Sequence, residues 1–269
     1  NAFVGKDRKF NKPVLVLVNK ETQLEKLGFI TEQDLNELGI KDKVAVYFPH
    51  SYNFSGENNN DVLLKGNAKT TNKKIQLTDT LVDQAGSCWF NRAVPINYNF
   101  STEFCFELKN GNNNDFDDKS LPGADGIALV ISGNKSIPEL GGVGGGLGYS
   151  GIGNSVAIEF DTYLNKEQSI QDPNGNHCAI HIPTNGILES LHSKETTLGI
   201  NDSIIKLKDN IKYYVKVEYN NLNQEIKVYL DEAFPYDTLI LNVKSIDLSK
   251  LLKSNNNLAF FGLTSATGR

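Results

Sequence analysis

Apolar and polar positions alternate along much of this chain with the period of two that a half-buried strand requires. In Glu225–Leu230, Ile226, Val228 and Leu230 fall on one side, and Glu225, Lys227 and Tyr229 on the other. The run Tyr213–Tyr219, joined to Gln224–Leu230 through Asn220–Asn223, predicts a hairpin. Further strands are predicted at Val44–Phe48, Asn99–Leu108, Gly126–Ile131, Val156–Thr162, Ala179–Ile182, Leu239–Val243 and Leu258–Leu263. Asn-, Gly- and Asp-rich stretches such as Asn110–Asp118 punctuate them, and Leu248–Lys253 is the one helix that fits. So many short strands predict an all-β jelly-roll β-sandwich or barrel.

Residues 1–43 follow a different pattern. Val14–Val18 is a β-branched run after Lys12-Pro13, while Glu21–Leu27 and Thr31–Leu38 predict two short helices. Thr31 is placed as an N-cap, with Asp34 at the third position, and Gly28 and Gly39 as terminators. This predicts a small strand/helix appendage over 1–43, followed by the β domain over 44–269.

Composition narrows the function classes. The 269 residues carry a formal net charge of −5, and the 27 Lys and Arg are spread along the chain, so there is no basic footprint for nucleic acid. No run approaches the ~18 apolar residues of a membrane helix. A chain without methionine is expected to be processed or a piece of a longer one. Cys88, Cys105 and Cys178 lack CxxC spacing and are expected to be buried apolar side chains, unless two of them pair.

Candidate chemistry concentrates in one segment, Val156-Ala-Ile-Glu-Phe-Asp-Thr-Tyr-Leu-Asn165, followed by Asp172-Pro173 and His177. In a strand, Glu159 and Asp161 point to the same face. Asn165, Asp172 and His177 bring two more oxygen-bearing side chains and an imidazole to the same strand–loop–strand corner. Carboxylates so placed repel one another and take up protons unless a cation neutralises them. Asp161, Asn165, Asp172 and a backbone carbonyl suit Ca2+. The overlapping set Glu159, Asp161, Asp172 and His177, with its nitrogen ligand, suits a second ion such as Mn2+. The alternative reading is a solvated acidic loop with an incidental histidine.

That segment resembles the L-type (legume-type) lectins, whose concanavalin A-like domains carry Val-Ala-Val-Glu-Phe-Asp-Thr-Tyr-x-Asn, then Asp-Pro and His. Other pieces follow in the family's order: Asn60–Gly66, Arg92–Ile96, Gly123–Ala128, the glycine-rich Gly144–Gly148 and Phe261–Gly268. The resemblance covers about residues 44–269 and implies a calcium-dependent carbohydrate-binding protein, secreted or on the cell surface, with glycans as partners. The chain would then serve as a lectin or adhesive module, with room to sit in a larger surface protein. It further implies that Asp125, after a cis peptide, accepts from two sugar hydroxyls, and that Gly145 offers its N–H. By the same resemblance Asn165 serves sugar and Ca2+ together, while Tyr163 gives its carbonyl to Ca2+ and its ring to the sugar. The Asn165–Asp172 loop is longer than in many relatives. The family's final strand is also missing after Gly268; either the chain stops short of it, or a segment such as Val14–Val18 takes its place. Residues 1–43 match nothing in the resemblance.

Catalytic alternatives lack parts. Laminarinase-like hydrolases on the same sandwich require Glu-x-Asp-x-x-Glu, and Leu164 stands where the second glutamate belongs. No enzyme is expected. Gly146-Leu-Gly148-Tyr-Ser-Gly151 matches GxGxxG but precedes a strand, so no helix N-terminus is available to a dinucleotide. His50, His181 and His192 have no Ser or Cys partner at readable spacing and are expected to be core or surface residues. A protein-binding module that has lost sugar binding is the rival from another class.

Overall fold

The computed structural model describes residues 62–109 and 123–268, except 72–73, 208–209 and 236, together with four strands before residue 62. Those four are β1 (Ala2–Lys6), β2 (Pro13–Val18), β3 (Leu24–Phe29) and β4 (Ala45–Tyr47), in the order β3-β2-β1-β4. Two expectations change here. The helix predicted at Glu21–Leu27 is replaced by β3, which pairs antiparallel with β2; the ladder outweighs the weak preference of a segment too short to be a stable helix alone. Val14–Val18 lies in this separate sheet, between β1 and β3, and so does not complete the sandwich. β4 pairs in parallel with β1, so this sheet extends past residue 44. The second predicted helix, Thr31–Leu38, and the Asn110–Asp118 loop lie outside the described residues.

The large sheet has eight strands. They are β5 (Val62–Gly66), β8 (Ala85–Phe90), β9 (Val94–Pro95), β11 (Gly126–Ser132), β12 (Ser155–Asp161), β13 (His177–His181), β14 (Thr197–Asn201) and β18 (Leu258–Ala266). Its order is β14-β13-β12-β11-β18-β8-β5, with β9 also on β18. A second sheet packs over it in the order β10 (Phe100–Glu107), β15 (Lys212–Asn220), β16 (Glu225–Asp231), β17 (Leu239–Val243). A ribbon of β6 (Lys69–Thr71) and β7 (Lys74–Gln76) completes the strands. The predicted hairpin is β15–β16, and the predicted helix is the single turn α1 (Leu248–Leu251), whose N-cap Asp247 accepts from the Lys250 N–H. Ala85–Phe90 and Thr197–Asn201 escaped the alternation test. In β8 the sequence Ala-Gly-Ser-Cys-Trp-Phe is small and apolar, and nearly all of it is buried, so no polar face marks its period.

Between the sheets, Val156, Ile158 and Phe160 of β12 meet Val215 and Val217 of β15 and Ile226, Val228 and Leu230 of β16. Burial of such side chains contributes about 1.5–3 kcal/mol each. The alternate residues of β12 face the other way, where Ala157 packs with Trp89, Val130, Leu147, Tyr149 and Leu188. β12 is therefore buried along its whole length. Two loops cover that outer face: the glycine-rich turn Gly144–Gly146 with Leu147, Tyr149 and Ile152 after it, and the segment after β13 that carries Leu188. Gly262 is required beneath Trp89, since a Cβ there would lie 2.4 Å from the indole. Glu159 and Asp161 share the parity of Ala157 and are buried on the same covered face. The three cysteines are unpaired; Cys88 and Cys178 are buried as expected, whereas Cys105 is exposed. Among the described residues no helix is long and apolar enough to cross a membrane.

Candidate carbohydrate and metal site

The site stands where β11, β12 and β13 end together. Asp161 pairs with Gly126 of β11 and with His177 of β13. That register brings Asp125, one residue before β11, beside Asp161; the Asp125 carbonyl accepts from the Thr162 N–H at 2.8 Å. The Ala124–Asp125 peptide is cis, as the resemblance implied. Asp125 is 1% exposed.

The turn after β12 is held by its own side chains. Asp161 Oδ1 accepts from the Tyr163 N–H at 2.7 Å, and Asp172 Oδ2 accepts from the Asn165 N–H at 2.6 Å. The Asp172 N–H returns to the Asn165 carbonyl at 3.0 Å, closing the longer loop on itself. Gly145 faces Asn165 so closely that a Cβ there would lie 2.6 Å from Asn165 Oδ1 and 2.6 Å from Ile170 Cδ1. A Cβ on Gly268 would lie 3.0 Å from Asp125 Oδ2. Asp125, Gly145 and Asn165 are thus gathered at one spot.

Deeper in, Glu159 is surrounded by imidazoles. Its Oε1 lies 2.9 Å from His181 Nε2, 3.1 Å from His192 Nε2 and 3.3 Å from His177 Nε2. Its Oε2 accepts from the Tyr149 hydroxyl at 2.6 Å. The side chains of His181 and His192, expected as core or surface residues, are both buried, and what the sequence reading missed is that both face Glu159. His181 is four residues beyond His177 on β13 and therefore on the same face, pointing at Glu159 from the neighbouring strand. Parity across the β12–β13 pair is the signal that could have found it. His192 arrives from a loop, docked by its N–H on the Ile170 carbonyl at 2.7 Å, and no periodicity marks it.

Electrostatically the corner is a buried anionic cluster. Burial, then Asp172 and Glu167, pushes Asp125 up to about 7. Burial, then Asp172 and Glu159, raises Asp161 well above the usual carboxylate range. Burial alone would raise Glu159 too, but the imidazoles outweigh it and hold that carboxyl well below its usual range. Burial opposes the charge on His192, yet Asp172 and Glu159 raise it to about 9. In this corner three buried oxygens have no hydrogen-bond partner: Asp125 Oδ2, Asn165 Oδ1 and Asp172 Oδ1, the last at ion-pair distance (3.3 Å) from His192 Nδ1. Buried polar atoms are rarely left so. An oxygen-seeking cation, together with hydroxyl donors at Asp125, fits these orphans.

A pH dependence follows for the chelated protein. Asp125, with a folded pKa near 7 against 3.8 unperturbed, favours folding in acid, and that contribution is lost as pH rises through about 7. Asp161 acts in the same direction, and the contribution of His192 fades as pH rises from 6.5 through about 9. Glu159 acts oppositely, but only below the ordinary carboxylate range. The melting temperature in EDTA should therefore fall steadily between pH 5 and pH 8, while saturating cation should reverse the slope because binding displaces protons. Melting curves in EDTA that rise over that interval would contradict the assignment.

Comparison with known proteins agrees with this geometry. A family model described as the legume lectin beta-barrel domain matches residues 52–269. The chain belongs to the legume-lectin family. A second model, for proteins of unknown function (DUF502), matches residues 1–56. The galactose-binding lectin of Arachis hypogaea is 33% identical over an alignment of 149 positions that covers 49% of this chain and 50% of that protein. The chain thus matches about half the length of this curated relative. Among solved structures, peanut lectin with a nine-residue peptide superposes with a TM-score of 0.59 at 26% identity, covering 81% of this chain and 88% of that one. The metal-free form of Griffonia simplicifolia lectin I-B4 gives 0.59 at 22% identity, covering 81% and 90%. Bauhinia forficata lectin in complex with GalNAc gives 0.58 at 20%, again covering 81% and 90%. Those last two speak to the fold alone. This legume-lectin chain has the all-β jelly-roll sandwich expected of it, and with it a lectin-type carbohydrate-binding fold.

Proposed function

We propose that this protein is a calcium-dependent glycan-binding module that recognises sugars without changing them. The observation that carries the reading is the set of three orphaned buried oxygens, on Asp125, Asn165 and Asp172, converging with Gly145 at one end of the sheet. Asp161, Asn165, Asp172 and the Tyr163 carbonyl would hold calcium, and Glu159 and His177 a second cation beside it. The ions supply fixed positive charge that keeps the carboxylates ionised and the turn rigid. Asp125 then accepts from sugar hydroxyls, the Gly145 N–H and the Asn165 amide hold the ring, and Tyr163 supplies an apolar platform. The chain is proposed to be two units, the N-terminal sheet through β4 followed by the carbohydrate-binding sandwich, displayed in secreted or surface-bound form.

The curated relative is a galactose-binding lectin, and one structural neighbour is complexed with GalNAc, so galactose-type glycans head the ligands to test. A glycan array should give signal that disappears in chelator and returns with calcium. The same preparation should release no reducing ends from β-glucans or other common polysaccharides. Release above a buffer blank, abolished by Glu159→Gln, would overturn the binding-only reading. Chelator-independent binding to a protein, with no glycan signal, would favour the protein-binding alternative.

A further inference from the structure

We propose that the second cation position is an imidazole-rich, zinc-type centre in which Glu159, His177, His181 and His192 are the ligands. The proposal rests on reading this corner as a metal site and deepens it by naming the ion class. The spacing-based set of Glu159, Asp161, Asp172 and His177 offers one nitrogen and three carboxylates, a donor set for manganese. The folded chain adds two imidazoles to that side of the cluster. Asp161 Oδ1 and Asp172 Oδ2 turn to the Tyr163 and Asn165 N–H groups, on the calcium side, while Asp172 Oδ1 stays 3.3 Å from His192 Nδ1.

Three features of the histidines point the same way. Glu159, His181 and His192 offer ligand atoms within 4.8 Å of one another, as do Asp172, His177 and His192. The Nε2 atoms of His177 and His192 are 3.0 Å apart, and all three Nε2 atoms lie 2.9–3.3 Å from Glu159 Oε1. Donors around one ion at about 2.0–2.1 Å are separated by about 3.0–3.4 Å, and these four separations are close to that range.

Each ring is also oriented from behind. His177 Nδ1 meets the Asn174 carbonyl at 3.0 Å, and His192 Nδ1 meets the Ile170 carbonyl at 3.3 Å. His181 Nδ1 meets Thr197 Oγ1 at 3.4 Å, and that hydroxyl donates onward to the Leu191 carbonyl, which leaves it the acceptor for the ring N–H. With Nδ1 donating in all three rings, each Nε2 would offer its lone pair to an ion at the centre once the bound metal has displaced the proton from His192. Glu159 is braced by the Tyr149 hydroxyl in the same manner. Outer hydrogen bonds of this kind set the tautomer and orientation of metal-ligating histidines. Three imidazoles and one carboxylate suit zinc and its late first-row neighbours, whereas manganese prefers an oxygen-rich shell.

The test uses the whole chain, stripped with chelator and returned to calcium, and titrates it with Zn2+ or Mn2+ against a competing chelator of known affinity. One zinc per chain is expected. His181→Ala and His192→Ala should each weaken zinc at least thirtyfold while changing manganese affinity less than threefold, with calcium-loaded melting temperatures confirming folded variants. Zinc generally outranks manganese at any site, so the histidine dependence is the deciding result. Zinc affinity untouched by both substitutions would overturn the proposal. X-ray absorption of zinc-loaded wild type gives an answer even if a variant fails to fold: three imidazole scatterers support the centre, and one or none overturns it. Glycan binding that needs only calcium, with no uptake of zinc or manganese, would defeat the proposal while leaving the lectin reading intact.

Discussion

Excess EDTA is expected to lower the melting temperature by on the order of 10 °C. A ligand present at about 1,000 times its dissociation constant stabilises the native state by roughly 4 kcal/mol. A domain of 150–250 residues shifts by about 2–4 °C for each kcal/mol. The effect should be large here because the proposed cations would answer a specific electrostatic conflict. Asp125, Glu159 and Asp161 are all buried within one corner, and burial raises the pKa of both Asp125 and Asp161. Without cations Asp125 and Asp161 must hold protons or repel their neighbours. Elemental analysis should accompany the melting curve; an unchanged curve after proven metal loss would remove the metal site from this fold.

The second large effect is at Asp125. Asp125→Ala should abolish glycan binding while metal content stays at the wild-type level. Charge-assisted hydrogen bonds are worth roughly 1.5–3 kcal/mol each, and weak sugar affinities leave no reserve for losing two. The fold should tolerate the change, because the carboxylate is buried with Oδ2 unsatisfied and its ionised form works against folding. Asp125→Asn keeps the shape but turns one acceptor into a donor, and should bind at least about tenfold more weakly, a deficit of about 1.4 kcal/mol. Asn165→Ala should lose sugar and calcium together. Wild-type glycan affinity in Asp125→Ala, measured by titration calorimetry, would place the combining site elsewhere.

The end of β12 was legible in the sequence because its chemistry is local, whereas Asp125 before β11 came only through the family resemblance. Glu159 and Asp161 are two apart, so strand parity alone puts them on one face, and the structure keeps them there. The β15–β16 hairpin was legible for the same reason. What escaped depended on partners distant in sequence. β3 forms against β2 although Glu21–Leu27 has a helical pattern. His181 needed the register between β12 and β13, and His192 needed a loop whose path is set by one backbone bond to Ile170. Periodicity describes a segment's own faces and is silent about which other segment will lie opposite.

The Tyr149 hydroxyl on Glu159 belongs to the same short loop that carries Gly145. The loop proposed to meet the sugar is thereby tethered to the carboxylate proposed to meet the ion. Linkage between two such ligands is reciprocal by thermodynamic necessity. Whatever factor cation occupancy adds to sugar affinity, the bound sugar adds to cation affinity. Molecules engaged on a glycan surface would then keep their ions longest, and a metal-poor medium would empty the unattached ones first.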